Sequence, residues 1–182
     1  ILKLVKNLLM SKFKITEKNW EECYGWLPLF ASGDQTVTIT GPANGKALKV
    51  NGTFRLNCGK WLFTGIQLNN SKKTAALGID GYAEVEWNGD ISVTGSAANA
   101  VVARGLGQLT VNGNIASSSK DNPAVALSGS PTIRINGSII QKGNNNALIL
   151  RGGKIAMNGN ISTTASYPVI WILYGQMKQI GS

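Results

Sequence analysis

Histidine is absent from the 182 residues, and acids are few: nine Asp and Glu stand against eighteen Lys and Arg. Without histidine there is no Ser-His-Asp triad and no Cys-His pair. The two cysteines, Cys23 and Cys58, are too few for a Cys-only zinc site, and no histidine completes one. No GxxxxGK[ST] loop or dinucleotide fingerprint occurs; Gly105-Leu106-Gly107 sits in a turn. The calcium-binding nonapeptide is missing as well, so neither a metal nor a cofactor is expected. Paired, the cysteines would staple the N-terminal segment to the body; unpaired, they read as small buried hydrophobes.

Long apolar runs are also lacking. ILKLVKNLLM is too short to span a bilayer and has no small-residue cleavage pattern. Its apolar positions, Ile1, Leu4, Val5, Leu8, Leu9 and Phe13, fall on one face of a helix. That predicts an amphipathic N-terminal helix packed on the body or on a sister chain, with membrane association the weaker reading. The chain begins at Ile1, as a processed, excised or internal segment would, and Met10 is a plausible start of translation. The formal net charge of +9 permits acidic glycans, lipid head groups or nucleic acid as partners. Nucleic acid is disfavoured because the Lys and Arg form no dense run.

What the chain does have is a repeated phrase. VEWNGDISV, LTVNGNIAS, TIRINGSII and IAMNGNIST share the pattern apolar, any, apolar, Asn-Gly, polar, Ile. Their glycines, Gly89, Gly113, Gly137 and Gly159, lie 24, 24 and 22 residues apart, a period that signals a solenoid. A second apolar burst precedes each phrase: Leu77/Ile79, Val101/Ala103, Val125/Leu127 and Leu148/Leu150. Strand alternation points Val85/Trp87, Leu109/Val111, Ile133/Ile135 and Ile155/Met157 inward. After the bend, Ile91, Ile115, Ile139 and Ile161 point inward again. Asn-Gly tolerates left-handed backbone, which predicts a sharp corner between two short strands. Flanks of three or four residues argue against hairpins. Stacked coils would align Asn88, Asn112, Asn136 and Asn158 in a structural ladder of amide hydrogen bonds. In residues 35–74 two registers compete: Gly41 and Gly65 continue the 24-residue grid, whereas LKVNGTF matches the phrase better but lies off it.

On coil length and the corner asparagine, the chain resembles the right-handed parallel β-helix superfamily: pectate-lyase-like folds, phage tailspikes and surface adhesins. The resemblance covers residues 75–173. The expected fold is all-β, a parallel β-helix (β-solenoid) of about 22–24 residues per coil with three short strands per coil, preceded by the amphipathic helix. Residues 1–34 are expected to form the helix and a plug or cap that holds Trp20, Tyr24 and Trp26, and residues 35–182 the solenoid.

Enzymes of that superfamily carry carboxylates on neighbouring coils. The only acidic cluster here is Asp80, Glu84, Glu86 and Asp90. Glu84 and Glu86 flank inward Val85 and so point outward together, which makes Glu84, Glu86 and Asp90 weak acid/base candidates. A solvated strand face is the simpler account. The Asn-rich turn QKGNNN suits sugar hydroxyls, although solvent-facing turns are Asn-rich in general.

The first expectation for function is therefore a non-catalytic structural or receptor-binding fibre module. It would be a virion tail or head fibre, tailspike-like, or a cell-surface adhesin, and it would contact surface glycans. By resemblance it would be a homo-oligomer, a trimer by analogy, located in a virion or at the cell surface. The alternatives are a polysaccharide lyase or glycoside hydrolase on a β-helix, and a scaffold that assembles end to end.

Overall fold

The computed structural model describes residues 12–14, 36–41, 48–96 and 98–180. The helix expected over residues 1–10, the aromatic plug and any pairing of Cys23 lie outside the described residues. β1 (Lys12–Lys14), which contains the last position of that expected apolar stripe, is a strand parallel to β2.

The chain then winds through about six coils of three strands. The first comprises β2 (Thr36–Thr40), β3 (Leu48–Asn51) and β4 (Phe54–Leu56); the second, β5 (Lys60–Thr64), β6 (Ile66–Asn70) and β7 (Leu77–Ile79). The third holds β8 (Glu84–Asn88), β9 (Ile91–Val93) and β10 (Val101–Ala103); the fourth, β11 (Gln108–Val111), β12 (Ile115–Ser117) and the start of β13 (Val125–Ile135). The rest of β13, β14 (Ile139–Gln141) and the start of β15 (Leu148–Met157) make the fifth. The sixth runs through β15, β16 (Ile161–Thr163) and into β17 (Ile170–Gln179). Every pairing is parallel and joins one coil to the next. One sheet of six strands is a single stack; the other, of eleven, is two stacks that merge where β13, β15 and β17 run through a corner.

Alternation along each strand fills the interior with columns. Ile39, Phe63 and Trp87 are one column, continued by Val111, Ile135 and Met157, all fully buried. The register left open over residues 35–74 is thereby set: Thr64 pairs with Asn88 on the 24-residue grid, while LKVN belongs to the second stack and pairs with Ile66–Asn69. The text of LKVNGTF matched the phrase, but its place in the coil differs.

The early coils are wide and aromatic. Phe63 stacks on Trp87 with ring centroids 4.5 Å apart, and Phe54 meets both rings edge-on at 5.0 and 5.3 Å. Later coils replace these rings with aliphatic side chains. Buried and half-buried polar side chains tie down the turn after the second stack. Asn70 Oδ1 accepts the Lys72 amide, Ser117 Oγ that of Ser119 and Thr163 Oγ1 that of Ala165, the same i to i+2 bond in alternate coils.

The corner glycines have a different cause from the one expected. Gly89, Gly113, Gly137 and Gly159 are not among the positive-φ glycines. Instead, the coils approach so closely there that a Cβ on Gly137 would lie 2.2 Å from the Gly113 carbonyl oxygen, and one on Gly113 2.2 Å from that of Gly89. At this corner left-handed backbone is found at Gly65, one coil before Gly89, with φ of 69°; it recurs at the other corner, where Gly81, Gly105 and Gly129 have φ of 64°, 76° and 81°. Cys58 is exposed on a turn of that same corner.

Candidate ligand-binding groove

The outer face of the first stack carries Glu84 and Glu86, and these and the other carboxylates singled out from the sequence are each engaged by a neighbouring coil. Glu84 stands 4.0 Å from the Lys60 ammonium. Glu86 Oε1 accepts a hydrogen bond from Asn112 Nδ2 at 3.2 Å. Asp90 lies past the Asn88-Gly89 corner, where its Oδ1 accepts the Asn114 amide at 2.8 Å; Asn114 repeats the bond to Ser138 at 2.9 Å. The structure thus brings Glu84 and Glu86 to one exposed face and leaves Asp90 around the corner. Asp80 pairs with Arg55 at 2.6 Å. Among the described residues, no three His, Cys, Asp or Glu are grouped to hold a metal ion.

Beside Glu86 runs a chain of amides. Asn112 Nδ2 donates to Asn88 Oδ1 at 2.6 Å, Asn136 Nδ2 to Asn112 Oδ1 at 2.6 Å, and Asn158 Nδ2 to Asn136 Oδ1 at 2.8 Å. Asn88 ends it on the Thr64 hydroxyl at 3.4 Å. The row is on the outside, so water competes for it, and each bond stabilises by about 1 kcal/mol. Replacing Asn112 by Ala is expected to lower stability by about 1–2 kcal/mol in urea denaturation. Asn112→Asp should cost more, since a carboxylate would then face Asn88 Oδ1 and Glu86. If the two variants unfold at the wild-type midpoint, the row contributes nothing to stability.

A longer groove lies along the outer face of the third stack. Its floor is the outward column Gly78, Val102, Ala126, Ile149 and Trp171, set in register by strand pairing. Small side chains in coils two to four keep that floor low. One wall is built by the turns that precede each third strand. They are held up by bonds between coils: Asn99 Nδ2 donates to the Pro123 carbonyl at 2.7 Å, and Asn146 Nδ2 to that of Pro168. The opposite wall is the position just after the third strand, which holds Asp80, Arg104, Ser128 and Arg151 in successive coils. Two depressions of about 610 and 750 Å³ share Asn99, Val102 and Arg104 and so form one groove.

Its character changes along the axis. At the early end Arg55 and Asp80 neutralise each other. In the middle Arg104 and Arg151 are exposed, and among the described residues no carboxylate pairs with either. At the far end Tyr167 and Trp171 are 55% and 49% exposed and line the wall and floor. The QKGNNN turn contributes less than its composition promised. Asn145 donates to the Lys120 carbonyl and Asn146 to that of Pro168, so two of its amides bind the protein itself.

Two features of the sequence lie in this groove, neither decisive alone: the turns ARGLGQ and RGGK hold its cations, and the last burst holds Trp171.

Comparison with protein-family models, with curated proteins and with solved structures gives no significant match for this chain. What the structure itself shows is a parallel β-solenoid of about six turns.

Proposed function

We propose that this chain is a non-catalytic structural and receptor-binding module, a β-solenoid rod whose lateral groove holds a surface glycan. The observation that carries the reading is the groove itself. It crosses five coils, has low side chains in its early floor and joins cationic, amide and aromatic groups on one side of the molecule. An extended polymer fits such a trough better than a compact metabolite does. The aromatic faces of Trp171 and Tyr167 suit the C–H faces of sugar rings.

Binding without turnover is favoured by the state of the acids. Glu86 and Asp90 accept hydrogen bonds that join coils, Glu84 faces Lys60, and neither Glu84 nor Glu86 lines the groove. A rod of this kind belongs in a fibre of a virion or in a cell-surface adhesin, in a homo-oligomer.

The test is incubation of the chain with acidic and neutral polysaccharides, read by retention on the immobilised glycan and by the size of the glycan afterwards. Retention with no change in chain length is expected. Glycan shortening that disappears in Glu86→Gln would replace this reading with a lyase or hydrolase. Light scattering on the same sample should give a defined oligomer, and a monomer would remove the fibre part of the reading.

A further inference from the structure

We infer that the groove is selective for a glycan carrying a carboxylate on every second sugar, with Arg104 and Arg151 as the two anion contacts. The inference rests on the glycan-binding reading above and goes beyond it to the charge pattern of the ligand.

The argument is one of spacing. Asp80, Arg104, Ser128 and Arg151 occupy the same place in coils two to five. Coil two is closed to an anion, because Asp80 is there and holds Arg55. Arg104 in coil three and Arg151 in coil five both line the groove. Strands stacked about 4.8 Å apart put those two positions about 9.6 Å apart along the axis. That is close to the length of a disaccharide lying along the rod.

Coil four, between them, is built for a neutral sugar. Its wall residue is Ser128, a hydroxyl in place of a guanidinium, and across the groove Asn122 brings a side-chain amide. Next to Asn122 stands Asp121, exposed and also lining the groove. A carboxylate on the middle sugar would share this part of the groove with Asp121, and like charges repel. The groove therefore attracts anions at coils three and five and rejects one at coil four. Selectivity arises from the repulsive element as much as from the attractive pair.

Net positive charge alone predicts something else. A merely cationic trough would bind the most highly charged polymer most tightly, including nucleic acid, with a steep dependence on salt. Alternation is a different and sharper expectation.

The experiment uses the full chain and three hexasaccharides of equal length: one of hyaluronan, with a carboxylate on every second sugar, hexagalacturonate, with one on each, and maltohexaose, with none. Binding is measured by titration calorimetry at fixed ionic strength. The hyaluronan hexasaccharide is expected to bind tightest. Arg104→Gln and Arg151→Gln should each weaken it about tenfold, the range of a charge-assisted hydrogen bond. Both residues are exposed, so their variants should melt with the wild type. Asp121→Asn should raise the affinity for hexagalacturonate by a larger factor than that for the hyaluronan hexasaccharide, narrowing the gap between them.

Equal binding of hexagalacturonate and hyaluronan by the wild type would overturn the inference, as would a single-stranded oligonucleotide that competes equally well. Tightest binding of maltohexaose, unaffected by either Arg variant, would overturn it while leaving the glycan reading standing. Binding of none of the three sugars would remove both.

Discussion

Gly137→Ala is expected to destabilise the protein by about 3 kcal/mol, near the upper end for overpacking a tight site. The added Cβ would stand 2.2 Å from the Gly113 carbonyl oxygen, 2.6 Å from its carbon and 3.0 Å from Asn114 Oδ1. The first two are backbone atoms, so no rotamer change relieves the contact; the coils themselves must part. The Asn136–Asn112 bond and the pairing of Asn114 with Ser138 lie at that corner and would loosen together. Gly65→Ala provides the contrast. Gly65 has φ of 69°, yet the nearest atom to its Cβ is 3.8 Å away, so only the conformational cost of about 1–2 kcal/mol applies. Urea midpoints of the two variants decide the matter. If Gly65→Ala is the more damaging, the corner is governed by backbone conformation and close approach is secondary.

The second large effect is expected at Trp87. Trp87→Ala removes a fully buried indole that stacks on Phe63 and meets Phe54, and should cost about 3–5 kcal/mol. Trp87→Phe should be far milder. The phenyl ring keeps both aromatic contacts, and the change removes an indole N–H that is buried with no hydrogen-bond acceptor. An unsatisfied buried donor costs about 1–3 kcal/mol, which offsets much of the lost volume. The expected net loss for Trp87→Phe is within about 1.5 kcal/mol. Thermal or urea unfolding measures both variants, and tryptophan emission reports the lost buried fluorophore. A Trp87→Phe variant as unstable as Trp87→Ala would mean that the indole nitrogen contributes a bond absent from this account.

The coil was legible in the sequence because its two signals are local. The Asn-Gly phrase recurs at constant spacing, and period-2 alternation beside it places Val85, Trp87, Ile133 and Ile135 in the core, where they are buried. Residues 35–74 resisted because text and place part company there: LKVN resembles a first strand but pairs in the second stack. The reason for glycine at the corner was also hidden. A positive φ can be guessed from one residue and its neighbours, whereas contact with a carbonyl one coil away depends on stacking. The groove was the least visible feature, for a related reason. Its walls and floor come from turns and strands of five coils, and a shift of spacing from 24 residues (Arg104 to Ser128) to 23 (Ser128 to Arg151) conceals that Arg151 continues the position of Arg104 and Ser128. Arg104 and Arg151 consequently read as ordinary turn residues. Glu84, Glu86 and Asp90 drew attention because they are close in sequence, yet a corner separates the third from the other two.

The vertical register of the columns has a consequence for how such a chain can change length. Thr132 lies above Gln108 and Gln108 above Glu84, so excising residues 108–131 would bring Thr132 onto Glu84 with every inward side chain still inward. Loss of a single residue within a strand would instead turn the rest of that strand inside out. Within the strands, insertions and deletions are thereby filtered into whole coils. The length of the rod, and of any trough along it, is quantised in steps of one turn.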